Sequence, residues 1–527
     1  DDALIHPRGS QLWAWKDDYV KRIKARIRKR VPVWAIAFWL FRDREWAPDT
    51  TVQNIENHFL NTFRITHEES DTLFSYAYGE DLGEFLGTSS TSDDELFELI
   101  EYPPDASVEE GGYLASLELQ RIGPATRMVY EPSSRLNIVT GDNSLGKTFL
   151  FECAWRSLTG SWISHPAVPD TSDTPSQPVI VSSLQTKRRR QKRTISYDFD
   201  SLDWISGVKQ SVIPGLVIYV RFDGSAAVYD PERTSKDEGV PQGVITMTRD
   251  EVWNGRRSDS HGRPVALCNG LYQDWIEWQY DHTASDQFDF LTSVLRHLSP
   301  SDEHVLQPGQ PTRLPGDSRR MPTVSMPFGD VALEHCSAAI RRITGLAYLL
   351  VWSWNEHLRN CSMRRKKPGR SLMLFVDEIE AHLHPNWQRM ILEALAKSLD
   401  AFEPFVQPQL HIATHSPLVL ASAEPIFDER SDRLHHLSFK SGRVELSQVP
   451  FEKRGRSDRW LTSPMFGLEQ PRSRPGERAI MLALEVQSHS NPDVSLIRTI
   501  NQDLEESLAQ DDDFWPRWRF FVSEFDL

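Results

Sequence analysis

The sequence predicts an α/β fold with a mixed central sheet, and three stretches carry that prediction. RLNIVTG reads as a buried strand, and it runs directly into GDNSLGKT (Gly141 to Thr148) and then into FLFECAWRSLTG, which has helical periodicity. A second continuously apolar strand, LMLFVDE, ends on the carboxylates Asp377 and Glu378, and a third, LHIATHS, carries His415 at its end. Unbroken apolar strands of this kind belong to parallel sheets covered on both faces.

Composition bounds the rest. A chain of 527 residues with 39% apolar and 10% aromatic side chains is longer than one core serves and can fill two or three. Its 59 basic and 75 acidic residues give a formal charge of −16, which excludes a general polyanion binder. The longest apolar runs, VPVWAIAFWLF and LAYLLVWSW, reach at most about half of the roughly 20 residues a membrane helix needs, so no membrane partner is expected. Cys153, Cys268, Cys336 and Cys361 are far apart and fit neither a disulfide framework nor a CxxC metal site, so a reducing, cytoplasmic location is expected.

In chain order, residues 1–102 read as a separate helical domain. KDDYVKRIKARIRKR places Tyr19, Val20, Ile23 and Ile27 at helical spacing with basic residues around the remaining surface, which suits either a solvated helix docked by one stripe or a contact with nucleic acid or an acidic partner. The prolines and glycines of EYPPDASVEEGG then mark a linker near Pro103 to Gly112. LASLELQRI and TRMVYEP alternate apolar with polar residues, as two antiparallel strands leading into the central RLNIVTG strand would. Residues 161–320 are rich in Pro, Ser, Asp and Gly with short β-like pieces, and read as a β-rich insertion without repeats or heptads. Leu333 to Leu358 reads as one long buried helix, HPNWQRMILEALAKSLD as another, and SDRLHHLS as a strand with structural histidines.

GDNSLGKT fits the G-x-x-x-x-G-K-[ST] phosphate loop in the strand–loop–helix context that the mechanism needs. Gly141, Asp142, Asn143, Ser144, Leu145 and Gly146 offer backbone N–H groups to phosphates. Lys147 reaches the β and γ oxygens, the Thr148 hydroxyl binds Mg²⁺, and Phe149 continues the helix whose positive end faces the anion. Asp377, at a strand end, can hold Mg²⁺ through a water, and Glu378 can orient and deprotonate the water that attacks the γ-phosphate. His415 reads as a sensor of the γ-phosphate. Lys187, Arg188, Arg189, Arg190, Lys192 and Arg193 form a basic run between two β-like pieces, which suits a nucleic-acid contact or a solvated turn equally.

The order GDNSLGKT, LMLFVDEIEAHLHP, ATHSP resembles the ABC-type ATPase heads of the structural-maintenance-of-chromosomes, RecF and overcoming-lysogenization-defect group. That resemblance implies an ABC-type P-loop ATPase head at 113–425 with an antiparallel β subdomain, followed by a β/helical extension at 426–527. It implies two heads sandwiching ATP and Mg²⁺, hence a homodimer or higher even oligomer, with EAHLHP as the D-loop. In such heads a Ser-Gly-Gly-type signature turn caps the partner's γ-phosphate. Ser337, in HCSAA, is the candidate to act in trans; alanines replace the glycines, and Arg341 and Arg342 follow as candidate phosphate or partner contacts. Gln185 is the candidate Q-loop glutamine. His382 and His384 lack a third ligand for a metal.

The lack of heptads argues against a long coiled-coil arm. The tail segment DRWLTSPMFGLEQPRSRPGER resembles ATPase subunits of bacterial anti-phage systems such as Septu and related retron assemblies. In those systems the ATPase is similar to a sensor or scaffold and a separate effector chain carries the toxic chemistry. The expected function is thus a slow Mg·ATP-hydrolysing, dimerising subunit of a defence complex. The alternative is a DNA-repair or recombination ATPase with ATP-dependent DNA binding.

Overall fold

The computed structural model describes residues 112–525, apart from 171–176, 187–189, 207–213, 235–241, 261–262, 302–304, 370, 401, 403–405, 441 and 490–491. The helical domain expected at 1–102 lies outside the described residues.

The first strands are β1 (Tyr113–Ile122), β2 (Ala125–Tyr130) and β3 (Leu136–Gly141), followed by helix α1 (Lys147–Thr159). Strands β4 (Val179–Gln185), β5 (Arg190–Asp198) and β6 (Asp203–Ser206) join β1 and β2 in an antiparallel sheet of order β2-β1-β4-β5-β6. Next come β7 (Leu216–Val220), β8 (Ala226–Tyr229), β9 (Val244–Met247) and α2 (Arg249–Asn254). Beyond the hairpin β10 (Arg256–Ser260) and β11 (Arg263–Cys268), helices α3 (Leu271–Tyr280) and α4 (Ser285–His297) lead to five short strands. These are β12 (Gln307–Pro308), β13 (Thr312–Arg313), β14 (Arg320–Met321), β15 (Thr323–Met326) and β16 (Gly329–Ala332). Then follow α5 (Ala338–Met363), β17 (Ser371–Val376), α6 (Pro385–Gln388), α7 (Ile391–Asp400), β18 (Gln407–Thr414), α8 (Pro417–Ala423), β19 (Asp432–Lys440) and β20 (Arg443–Val449). Helices α9 (Ser457–Leu461), α10 (Arg474–Gln487), α11 (Val494–Ser507) and α12 (Trp515–Val522) close the chain.

The central sheet has eight strands in the order β20-β19-β3-β18-β17-β7-β8-β9. From β19 to β7 all neighbours are parallel, while β20, β8 and β9 add antiparallel edges, so the sheet is mixed as expected. Alternation along each strand sorts its side chains into two cores. Ile138, Ile218, Leu374 and Ile412 face the helices α3, α4, α5, α7 and α8. Val139, Tyr219, Phe375 and Ala413 face α1 and the antiparallel sheet. Helix α1 is thus pinned between two sheets, with Leu150, Phe151, Ala154 and Trp155 fully buried. α10, α11 and α12 build a third, smaller core around Ile480, Ile497, Leu504 and Trp518.

Four expectations change. The stretch 161–320, read as a β-rich insertion in the head, also carries part of the core: β7 pairs directly with β17 inside the parallel ladder, and α3 and α4 pack on α5 through Trp275, Leu291 and Val294. The boundary expected at 425 cuts the central sheet, since β19 pairs with β3, and a separate core forms only from α10 onward, while Trp460 of α9 still packs in the core of the central sheet. The helix expected from Leu333 begins at Ala338, because Ser337 caps it by accepting from the Ile340 N–H at 3.3 Å. The helix expected from His384 breaks into α6 and α7: Trp387 Nε1 donates to the Leu298 carbonyl at 3.0 Å, and Gln388 bonds both the Leu383 carbonyl and Ser416. Of the two histidines of β19, His435 is buried edge-on against Tyr130 and His436 is partly buried.

Candidate functional site

Because β3, β18 and β17 are parallel neighbours, their C-terminal ends lie along one edge of the sheet. Thr140 pairs with Thr414, and Val376 with Ile412. Ligands of open α/β sheets bind at such an edge. The loop after β3 needs its glycines: at Gly141 (φ 147°) a Cβ would stand 2.5 Å from the Leu437 carbonyl oxygen, and Gly146 (φ 99°) occupies the left-handed region as the residue that opens α1. With no side chain capping α1 and no acid in its first turn, the helix's leading N–H groups are left to an anion. Lys147 is folded back over the loop, donating to the Gly141 carbonyl at 2.7 Å and the Asp142 carbonyl at 3.0 Å. Burial lowers its pKa, opposed by Glu378, Glu380 and Asp377.

Asp377 follows β17 directly and is fully buried. Its backbone N–H donates to the Val220 carbonyl at 2.9 Å, and its Oδ2 accepts from Thr148 Oγ1 at 2.6 Å. Its other oxygen, Oδ1, is buried without a hydrogen-bond partner. Burial, with Glu378 adding to it, raises the carboxyl pKa to about 6 against the Thr148 bond and the Lys147 charge. An orphaned carboxylate oxygen beside a hydroxyl at the mouth of a phosphate loop fits Mg²⁺, a hard cation that takes few protein oxygens and fills its shell with water and phosphate. Thr148 and Asp377 are the residues that would hold it.

Glu378 has φ 47°, a left-handed conformation that a non-glycine residue adopts at a cost, and its side chain is about a third exposed. Glu380, two residues on, is buried at 5% exposure. Its Oε1 accepts from the His415 backbone N–H at 2.7 Å and lies 3.2 Å from His415 Nδ1; Glu378 Oε1 is 4.0 Å from the same nitrogen. His415 thus stands beside both acids. Sequence reasoning missed Glu380, assigning it to the D-loop alone; its only signal was a third carboxylate at alternate spacing after Asp377.

The other expected site residues separate. Ser337 caps α5, so its hydroxyl is engaged within its own helix. Arg342 is no candidate for a partner contact: Nη1 donates to the Arg221 carbonyl at 2.6 Å and Nη2 to the Asp377 carbonyl at 3.2 Å, bracing the ends of β7 and β17 from one turn inside α5. Arg221 in turn pairs with Glu152 of α1 at 3.2 Å. Gln185 lies on β4 of the antiparallel sheet, paired with Arg190 and donating to the Thr186 carbonyl, away from the strand ends. Of the basic run, Arg190 and Lys192 are exposed on β5, and residues 187–189 lie outside the described residues. Arg193 is buried instead, with Nη1 donating to the Ser157 and Leu158 carbonyls at 3.1 Å each, where it closes the end of α1. Alternation along β5 turns it inward, which corrects its place among the nucleic-acid candidates.

Residues 360–421, spanning the paired acids and His415, match the family model described as "AAA domain, putative AbiEii toxin, Type IV TA system". A 94-residue stretch is 31% identical to the retron Vc95 probable ATPase of Vibrio cholerae serotype O1 biovar El Tor, covering 18% of this chain and 16% of that relative. The chain thus spans under a fifth of the length of this curated relative. Among solved structures, the SMC head domain from Thermotoga maritima is 13% identical with a TM-score of 0.31, covering 64% of this chain and 99% of that one. The recombination mediator protein RecF is 11% identical with a TM-score of 0.34, covering 66% of this chain and 100% of that one. With its phosphate loop, its acid-tipped neighbouring strand and its mixed sheet in place, the described part of this chain is an α/β fold whose residues 360–421 are similar to an AAA domain.

Proposed function

We propose that this protein binds and slowly hydrolyses Mg·ATP, and that nucleotide-dependent dimerisation makes it the sensor or scaffold of a bacterial anti-phage complex acting on a separate effector chain in the cytoplasm. The observation that carries the chemistry is the 2.6 Å contact between Thr148 and Asp377, with Glu378 and His415 beside it. Such a site works by positioning and electrostatics, since phosphoryl transfer to water asks for little covalent chemistry from the protein. The loop amides and Lys147 hold the β and γ phosphates, and Lys147 exchanges its two loop carbonyls for phosphate oxygens. Mg²⁺, when bound, neutralises charge building on the transferred group. Glu378 orients the attacking water and accepts its proton, and His415 contacts the γ-phosphate.

The defence role is supported by the likeness to a retron ATPase, and the dimer by the resemblance of the motif order to ATPase heads that sandwich ATP in pairs. The test is turnover and mass together. ATP hydrolysis by the purified chain should vanish in Lys147→Ala, and mass photometry should show a doubled species with ATP and an additional chain in the native complex. A chain that neither hydrolyses ATP nor changes mass with it overturns the reading.

A second reading, a DNA-repair or recombination ATPase, is favoured by one observation: Arg190 and Lys192 are exposed on one strand of the β4–β5 hairpin in an otherwise acidic protein. It requires ATP-dependent DNA binding that weakens when these two are neutralised.

A further inference from the structure

Resting on the proposed nucleotide site, we infer that Glu380 is the positioning residue for His415, a second acid whose work is separate from that of Glu378. One oxygen of Glu380 faces two groups of the same residue, the His415 backbone N–H at 2.7 Å and its ring Nδ1 at 3.2 Å, across 35 residues of sequence. That double contact fixes both the turn after β18 and the ring's orientation. With Nδ1 held by a carboxylate, Nε2 is the ring atom left for a phosphate oxygen. A ring that touches Glu380 through Nδ1 and donates to a phosphate oxygen through Nε2 carries a proton on both nitrogens.

The environment supports a functional rather than a stabilising role. Glu380 is 5% exposed and its Oε2 is buried with no hydrogen-bond partner. A buried carboxylate with an unmade bond destabilises a fold, and such groups persist where function holds them. Lys147 and Arg342 are the cations that sense its charge. Ile379, buried between the two acids, anchors the turn in the helical core, so Glu378 and Glu380 are held apart: the first partly open to water, the second closed over.

The experiment is a double-mutant cycle on ATP turnover with Glu380→Gln and His415→Ala. Glutamine keeps an acceptor for the backbone N–H but removes the charge. Glu380→Gln should lower kcat about tenfold or more, keep KM within about threefold, and leave the melting temperature equal or higher. In the His415→Ala background it should cost less than about twofold more. Should Glu380→Gln fail to fold, Glu380→Asp run through the same cycle gives the same comparison. Wild-type kcat in Glu380→Gln, or an equal loss with and without His415, overturns the pairing. Lys147→Ala is the control: if wild-type turnover does not depend on Lys147, the functional reading falls and the pairing falls with it, whereas Lys147-dependent turnover indifferent to Glu380 removes the pairing alone.

Discussion

Thr148 Oγ1 and Asp377 Oδ2 meet at 2.6 Å across 229 residues of sequence. One lies in the first turn of the helix after the phosphate loop and the other directly follows the strand two places along the sheet, so the contact exists only because β3, β18 and β17 run parallel in that order.

Asp377 should limit the stability of the unliganded protein. Its folded pKa, about 6, stands above the unfolded value near 3.8, so its contribution is full at low pH and is lost as pH rises through 6. Asp377→Asn should therefore stabilise the free protein at pH 7.5 by about 1–3 kcal/mol, with the gain vanishing below about pH 4. The same variant should lose the stabilisation that Mg·ATP gives the wild type. Thermal melts across pH, with and without nucleotide, check both halves.

Glu378→Gln should bind ATP with affinity within about threefold of wild type while turnover falls at least about a hundredfold, since only the proton acceptor is removed. Bound nucleotide that is not cleaved should accumulate the dimer. Single-turnover hydrolysis and mass photometry read the two effects, and unchanged turnover discards Glu378 as the base.

Arg342→Met should be costly in two currencies. Removing the guanidinium leaves the Arg221 and Asp377 carbonyls without that donor, a loss of about 2–4 kcal/mol in urea unfolding. Turnover should fall further than stability explains, because the ends of β7 and β17 lose their shared brace. Arg341→Met, one position earlier and without such bonds to the strand ends, serves as the comparison.

The basic strand should divide by burial. Arg193→Ala should destabilise by about 1–3 kcal/mol, because two carbonyls at the end of α1 lose their donor, whereas Arg190→Ala with Lys192→Ala should leave stability within about 0.5 kcal/mol. If the protein binds DNA, the exposed pair should weaken that binding uniformly across sequences and lower the salt slope by about one per charge removed.

The chain by itself determined the local motifs from which the candidate site is built. Gly141 to Thr148 is legible because the loop's glycines, lysine and threonine must follow one strand and open one helix, and Asp377, Glu378 and His415 are legible because each ends an apolar run. Tertiary structure decided everything set by pairing between distant segments. That β7 lies inside the parallel ladder, that β19 extends it beyond residue 425, that Arg193 turns inward and Arg342 reaches Asp377, and that Glu380 closes on His415 all depend on strand order and helix packing. Periodicity reports which face of an element is apolar; which neighbour covers that face is fixed only when the two cores on either side of the sheet are filled together.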